Sequence, residues 1–208
     1  MDLYEAIEKR KTIRRFDKRP VPDEILRRVF DAGLKAPAGT HDRDWHFIRL
    51  KDTGVRQEMV GVDEVEDISP DVYKKRTKYT GSSPISLEMY IEANAVQKSM
   101  SLSAPEVMVV CYEENKAVKD YTHINDLNRT ASIWCCIENM LLAMAAEGIF
   151  GVTRIPHNID GIRSLLNIPD NYQIAAVISF GYPEDSAGRC RQNPVNLDEH
   201  VHIDKFQR

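Results

Sequence analysis

The longest helical pattern in the chain, residues 126–147, constrains the fold most. The segment is rich in Ala, Leu, Met and Ile and is followed by Gly148, a residue often found just beyond a helix C-terminus. Apolar residues surround much of its circumference between Met140 and Ala146. A helix that is apolar on most sides must be covered on most sides. We therefore predict that this helix lies at the centre of the fold or against a second subunit.

Shorter patterns predict the elements around this helix. Asp2 and Glu5 have capping-box spacing at the start of one helix, Pro22 opens another, and Asn158 caps a third. The predicted helices are 2–10, 22–35, 87–100 and 158–167, and the predicted strands are 45–50, 107–111 and 174–180. Residues 51–85 are charge-rich and weakly periodic, which indicates short helices in a mobile excursion.

The chain ends in a segment whose polarity alternates, His200-Val201-His202-Ile203. This period suits an edge strand added to another sheet. The sequence shows no internal repeat, linker or change of composition that would divide it. We therefore expect one domain over residues 1–208.

Composition places the chain among soluble globular proteins, with 42% hydrophobic and 29% charged residues. No apolar run approaches the ~20 residues that span a bilayer, and the N-terminus lacks the basic and apolar regions of a signal peptide. These patterns predict a cytoplasmic protein that does not enter a membrane. The cysteines, Cys111, Cys135, Cys136 and Cys190, lack metal or redox spacing. We expect Cys135 and Cys136 to be buried free thiols.

A local cluster of cations stands out near the N-terminus of this acidic chain. Seven of the eleven residues from Lys9 to Arg19 are basic, although the net charge is -4. The cluster contains only one aromatic residue, Phe16, so it lacks the interleaved aromatics of many nucleic-acid binders. Guanidinium groups beside a hydroxyl suit a small phosphate. A solvated charged turn is the alternative that composition alone favours.

Other motifs exclude several classes of enzyme. The sequence has no Gly-x-Gly-x-x-Gly loop, Walker loop, nucleophile elbow or clear carboxylate pair. His200 and His202 share a predicted strand face but lack a third ligand, so we predict no metal site. If the chain is an enzyme, a cofactor carries its chemistry.

Five segments, in order along nearly the whole chain, resemble the nitroreductase-like family of FMN proteins. Residues 10–16 are similar to its Arg-Arg-Ser-x-Arg-x-Phe opening, and residues 36–47 to its Ala-Pro-Ser-x-x-Asn-x-Gln-Pro-Trp-x-Phe motif. The other three are residues 148–151, residues 165–169 with 180–183, and the basic stretch 189–191 ahead of residues 199–202. The resemblance implies an α+β sandwich, with a mostly antiparallel sheet packed with helices. It also implies a homodimer with C-terminal strand exchange.

The same resemblance assigns cofactor-binding roles residue by residue. The FMN phosphate and ribityl chain would be held by Arg10, Lys11, Thr12 and Arg14, with Arg189 or Arg191 from the tail. The partner subunit would pack against the isoalloxazine with Pro37, Ala38, Gly39, Thr40 and His41. Gln97 would bind the pyrimidine edge, and the backbone around Ile155 and Pro156 would approach flavin N5.

The chain departs from the family pattern in the loop expected to face the flavin. Ala38 replaces the usual Ser, His41 replaces Asn, and Arg43-Asp44 replaces Gln-Pro. His41 then either contacts the flavin or faces solvent. Arg43 either replaces an amide donor to the ribityl chain or pairs with Asp42 or Asp44.

The activity implied by the resemblance is FMN-dependent NAD(P)H oxidation. Hydride would pass through flavin N5 to a small electron acceptor such as a nitroaromatic or quinone, with NADH or NADPH as co-substrate. No side chain is nominated as a catalytic acid or base. Alternatives are a flavin-binding protein without turnover, oxygen-dependent flavin chemistry, and reductive dehalogenation. Nucleic-acid binding through the cation cluster is a further alternative that the overall acidity disfavours.

Overall fold

A computed structural model describes residues 1–61, 67–185, 187 and 193–206. Its strands are β1 (Trp45–Arg49), β2 (Glu106–Glu113), β3 (Phe150–Arg154) and β4 (Tyr172–Gly181). Its first helices are α1 (Leu3–Lys9), α2 (Asp23–Leu34), α3 (Thr53–Val60) and α4 (Pro70–Arg76). These are followed by α5 (Pro84–Ala95), α6 (Gln97–Ser103), α7 (Asn128–Ala146) and α8 (Ile159–Leu165).

The four strands form one antiparallel sheet in the order β1-β2-β4-β3. Side chains of the central strand β2 alternate between two apolar clusters, with Met108 and Val110 in one and Val107 and Val109 in the other. The sheet is therefore covered on both faces, which explains why its central strands read as continuous apolar runs. The predicted α+β architecture with a mostly antiparallel sheet is confirmed.

Helix α7 covers one face of the sheet together with α2. Its residues Ile133, Ile137, Met140 and Met144 are fully or almost fully buried and recur at helical spacing. This central position confirms the prediction made from its apolar circumference. The opposite side, which carries Cys135 and Glu138, is exposed in the single chain.

The two neighbouring thiols on α7 differ. Cys136 is buried, and burial is the main cause that raises its pKa to about 12. Cys135 is exposed, so the prediction that both thiols are buried is wrong for Cys135 in the single chain. The physical reason is the helical period, which turns adjacent residues about 100° apart. Both cysteines are free, as predicted.

The second apolar cluster covers the other face of the sheet. It joins Ile13 and Phe16 of the N-terminal segment to Met100 on α6 and Ile162 on α8. Helices α3 and α4 confirm that residues 51–85 contain short helices. None of the helices within the described ranges is long and apolar enough to cross a membrane.

Several predicted boundaries were wrong. The helix expected over 87–100 is divided at Val96, whose φ of -107° and ψ of 5° separate α5 from α6. The long helix begins at Asn128 rather than at 126, because Ile124–Leu127 forms a 3₁₀ helix with its own capping box. Strand β3 was not predicted, because residues 148–151 were identified only by their family resemblance.

The C-terminal tail forms no strand within residues 193–206. Its regular structure is a 3₁₀ helix, Leu197–Glu199, and Val201 and Ile203 are 62% and 79% exposed. The strand predicted at residues 200–203 is thus not formed within one chain, where the tail pairs with neither edge strand of the sheet over its described residues. Strand exchange with a second subunit stays a prediction. Over the described residues, no group of His, Cys, Asp and Glu could hold a metal ion.

Candidate functional site

The cation-rich N-terminal segment is fixed beside the sheet. Arg10 is the C-cap of α1, Thr12 forms an isolated bridge with Gly151 on β3, and Phe16 forms another with Pro183. Ile13 and Phe16 are buried in the second apolar cluster. Because these buried residues alternate with the polar ones, Arg10, Lys11, Thr12 and Arg14 remain partly exposed.

The cations of this segment have different neighbours. Lys11 Nζ lies 5.1 Å from the centre of the Phe150 ring, and Arg10 Nε lies 3.9 Å from a carboxylate oxygen of Glu138. Arg15 is bound more tightly, since its Nη2 lies 2.8 Å from Asp67 Oδ2. Hydrogen bonds from Ser99 and then from Arg15 lower the pKa of Asp67. Arg15 thus has a carboxylate partner within its own chain.

Arg14 lines a cavity of about 530 Å³ between the N-terminal segment and α6. The cavity also includes Ser99, Met100 and Ser103 of that helix. The same lining carries the carboxylates of Asp17, Asp67 and Glu184, and the Ser99 hydroxyl is hydrogen-bonded to Asp67, so this cavity mixes cations with anions.

Residues 37–41 lie against the N-terminal half of α7. Gly39 N donates to Ser132 Oγ at 2.9 Å, and Ser132 Oγ donates to the Asn128 carbonyl at 2.6 Å. Pro37, Thr40 and His41 are exposed, whereas Ala38 and Gly39 are partly buried. The loop therefore has a fixed base and an exposed tip, and His41 faces solvent in the single chain.

The tip of this loop has an uncommon backbone. Thr40 and His41 are consecutive non-glycine residues in the left-handed region, with φ of 57° and 61°. This conformation is costly for a β-branched residue such as threonine. Backbone strain of this kind concentrates at functional sites, which makes the tip a candidate ligand contact.

We expect Thr40→Gly to raise the free energy of unfolding by about 0.5–1 kcal/mol, because glycine adopts positive φ without a Cβ clash. Urea denaturation of the wild type and the variant measures the difference. The matched control is Thr40→Ala, which removes the hydroxyl but keeps the Cβ and should not stabilise the protein. A destabilised Thr40→Gly variant would show that the turn carries no such strain.

The residues at and beside the positions that depart from the family motif form hydrogen bonds and an ion pair within the chain. Arg43 Nε donates to the Ala36 carbonyl at 3.0 Å, which is neither of the two arrangements predicted for it. Asp42 pairs with Arg129 at 2.9 Å. Asp44 accepts from the Tyr172 hydroxyl at 2.8 Å, and this hydrogen bond is the largest cause that lowers the pKa of Asp44. These contacts fix the residues that connect the loop of residues 37–41 to β1.

A second cavity, which we call the Arg154 cavity, has a volume of about 310 Å³. Gln97, at the start of α6, and Pro156, just after β3, both line it. These two residues are far apart in sequence and were assigned to the same ring system by resemblance alone. Ile155 precedes Pro156 and is 55% exposed, so the backbone at this point is accessible from solvent.

Arg154 also lines this cavity and was not among the predicted site residues. Burial lowers the pKa of its guanidinium, and its Nη2 is buried without a hydrogen-bond partner in the part of the chain that the structure describes. The sequence offered one signal, a lone arginine immediately before the two residues assigned to flavin N5. Nothing in the local pattern distinguished it from a surface arginine on a strand edge.

Strand β3 connects the two candidate regions. Thr12 pairs with Gly151 near the start of the strand, and Arg154 lies three residues further along it, a spacing of roughly 10 Å. Cations and a hydroxyl therefore lie beside the start of β3. An amide, accessible backbone and apolar side chains lie beside its end. This donor set suits FMN, which carries a phosphate at one end and a flat ring with an amide-like edge at the other.

The remaining predicted residues lie elsewhere. The loop of residues 37–41 is anchored to α7 through Ser132 and Asn128, rather than lining the Arg154 cavity of its own chain. Arg189 and Arg191 lie outside the described residues. Gln97 and Pro156 thus line one cavity, and β3 connects that cavity to Thr12. That residues 37–41 cover the flavin of a second subunit stays a prediction.

Comparisons with known proteins identify the family of the chain. A sequence model described as the Nitroreductase family matches residues 7–182. The chain is 26% identical, over 99% of its length and 88% of the other, to a protein of Methanothermobacter thermautotrophicus named as a putative NADH dehydrogenase/NAD(P)H nitroreductase. It is 24% identical to the iodotyrosine deiodinase of Thermotoga neapolitana, over 93% of this chain and 95% of the other. A solved structure of an iodotyrosine deiodinase bound to FMN and 3-iodo-L-tyrosine superposes with a TM-score of 0.73 at 21% identity, covering 99% of this chain and 100% of the other.

Proposed function

Because this chain belongs to the nitroreductase family, we propose that it is an FMN-dependent NAD(P)H oxidoreductase that reduces a small acceptor such as a nitroaromatic or quinone. The observation that carries the proposal is the arrangement along β3. It pairs the phosphate-suited N-terminal segment through Thr12 with the strand that ends in the Arg154 cavity, beside Gln97 and Pro156. We further propose that residues 1–208 form one domain.

The N-terminal segment would hold the phosphate end of the cofactor. Arg10, Lys11 and Arg14 supply cations, and Thr12 supplies a hydroxyl, for charge-assisted hydrogen bonds to a doubly charged group. Arg189 or Arg191 of the tail would complete this end. The bridge from Thr12 to Gly151 fixes the segment before any ligand binds, which lowers the entropy cost of binding.

The other end would position the ring. Bound FMN supplies two-electron chemistry, accepting hydride from a nicotinamide and passing electrons to the acceptor. Gln97 would hold the pyrimidine edge through its amide, and the backbone at Ile155 and Pro156 would lie on the N5 side. Residues 37–41 of a second copy would cover the ring and exclude water, with Thr40 and His41 at their exposed tip.

A second candidate function is reductive dehalogenation of an aromatic compound. It is favoured by the similarity to proteins named iodotyrosine deiodinase. In such a reaction two electrons from NAD(P)H, passed through the cofactor, and one proton would replace the carbon–halogen bond by a carbon–hydrogen bond, and halide would leave. The same cofactor-binding residues would serve either reaction, so the acceptor distinguishes the two.

One experiment distinguishes an NAD(P)H oxidoreductase from a dehalogenase and from a flavin-binding protein without turnover. The purified protein should be yellow and release one FMN per subunit on acid treatment. NADH or NADPH, added without oxygen, should bleach the flavin, and a nitroaromatic or quinone should restore its colour. A protein that takes up no FMN would refute the proposal, and a flavin that neither nucleotide bleaches would indicate a flavin-binding protein without turnover. Halide release from a halogenated phenol in place of nitroaromatic turnover would favour dehalogenation.

A further inference from the structure

Helix α4 and the residues just after it carry a group of exposed cations, which we call the α4 cluster. The cluster consists of Lys74, Lys75, Arg76 and Lys78. Residues 70–80 contain a single carboxylate, that of Asp71. The proposed function assigns no role to these cations. Because a run of like charges is most often a solvated surface, a binding site here requires further features.

The α4 cluster differs from several other exposed cations in its neighbours. Lys9, Lys35 and Lys116 each lie within 4.0 Å of a carboxylate oxygen of the same chain. None of the four cluster cations forms such an ion pair with another residue that the structure describes. Ion pairs with described residues therefore do not neutralise their charge, and the cluster presents a positive potential that attracts anions.

The α4 cluster begins beside the cavity that the proposed function fills with the flavin ring. Tyr73, the residue before the cluster, lines the Arg154 cavity together with Gln97 and Lys98. Residues 74–76 follow within one helical turn, about 4.5 Å along the helix axis. Lys98 is exposed and adds a fifth cation, and the described lining of the cavity contains no carboxylate. A ligand that meets the flavin ring with one end can therefore place an anionic end on the cluster.

An exposed aromatic ring lies at the far end of the α4 cluster. Tyr79 is 45% exposed, and its ring centre lies 4.1 Å from that of Tyr90 on α5, with the two planes inclined by 34°. The Tyr90 ring also contacts that of Tyr73, at 6.2 Å between ring centres. Both ends of the segment 73–79 are thus held on α5. A fixed aromatic face beside cations suits a purine base that is attached to phosphates.

We infer that the α4 cluster binds the 2′-phosphate and the diphosphate of NADPH, and that it makes NADPH the preferred electron donor over NADH. This inference rests on the proposed function, in which a nicotinamide must approach the flavin ring at the Arg154 cavity. The adenosine half of the nucleotide then extends along α4 towards Tyr79. NADPH carries one phosphate more than NADH, so a surface with four cations in five residues favours it.

The test compares NADPH and NADH as donors to the FMN-bound protein, in anaerobic stopped-flow at low ionic strength. The second-order rate constant for flavin reduction should be about 10-fold or more higher with NADPH. This ratio should fall to near one in Lys74→Gln/Lys75→Gln/Arg76→Gln, because the contacts to the additional phosphate are lost. The matched control, Lys18→Gln/Arg27→Gln/Lys119→Gln, removes two lysines and one arginine from other exposed positions and should keep the ratio.

Equal reduction by the two nucleotides in the wild type would overturn the inference, and so would an unchanged ratio in the α4 variant. The proposed function survives either result, because a nicotinamide nucleotide still reduces the flavin. It fails instead if neither nucleotide reduces the flavin of the wild type.

A second measurement does not depend on turnover. In calorimetric titration of the FMN-bound protein, adenosine 2′,5′-bisphosphate should bind about 10-fold or more tighter than 5′-AMP, and the α4 variant should abolish the difference. The difference should also shrink as salt is raised, since exposed charges are screened over about 30 Å at 0.01 M but about 3 Å at 1 M. Equal binding of the two ligands by the wild type would overturn the inference.

Discussion

Arg14→Ala should weaken FMN binding by roughly 10- to 100-fold, because a charge-assisted contact to phosphate contributes about 1.5–3 kcal/mol. Arg10→Ala should have an effect of similar size. Both side chains are partly exposed on a segment that Ile13 and Phe16 anchor in the core. Their truncation should therefore remove ligand contacts without unfolding the segment. Titration of the apoprotein with FMN, followed by flavin fluorescence, measures each dissociation constant.

The controls come from the same segment. Lys18→Ala removes an exposed cation outside the motif and should change FMN affinity little. Arg15→Ala should also have a small effect, because the Arg15 guanidinium is held by Asp67 at 2.8 Å. If Arg15→Ala weakens FMN binding and Arg14→Ala does not, the register assigned to this segment is wrong.

Sequence periodicity predicted the elements with strong local signals. The buried residues of α7 recur every three or four positions, and the central strand β2 alternates between two covered faces. Both features follow from the hydrophobic pattern and the geometry of regular structure. The capping box at Asp2 and Glu5 could likewise be predicted from the sequence, because all of its contacts are local.

Features that depend on distant contacts were not predictable in this way. Strand β3 is short and contains Gly151 and Arg154, and its conformation depends on pairing with β4. A side chain at Gly151 would meet the Phe180 Cβ at 2.9 Å, so close strand packing requires glycine there. The division of the helix at Val96 and the burial of the Arg154 Nη2 atom also depend on neighbours that no local pattern specifies.

The candidate site also combines residues that the sequence identified with features that depend on distant contacts. The resemblance nominated Gln97 and Pro156 separately, and their shared cavity appears only when α6 folds against the end of β3. Arg154 could not be nominated, because its significance lies in a missing hydrogen-bond partner. A sequence records which donors exist but not which of them remain unsatisfied after folding.

Apolar side chains on α1, on α7 and in the tail are exposed in the single chain and would be covered by a second subunit. On α1, Leu3 and Tyr4 are 62% and 79% exposed, and Trp134 on α7 is 37% exposed. In the tail, Ile203 and Phe206 are 79% and 77% exposed. Exposed apolar surface on this scale is typical of an interaction site. A partner would cover α1 and α7 and offer a sheet edge to residues 200–203, and each tail would reach the other subunit.

We therefore expect an obligate homodimer whose interface buries upwards of ~2,000 Å². Each flavin would be held by the N-terminal segment of one subunit and covered by residues 37–41 of the other, so cofactor binding and dimerisation become one linked equilibrium. Added FMN should then raise the Tm of the dimer, since a ligand that binds only the assembled state stabilises it. Sedimentation velocity at submicromolar protein, with and without FMN, measures the assembly. Truncation after Pro194 removes the exposed tail and should shift the population towards monomer with loss of FMN. A wild-type monomer that keeps its FMN and its activity would contradict both the interface and the placement of residues 37–41 in a shared site.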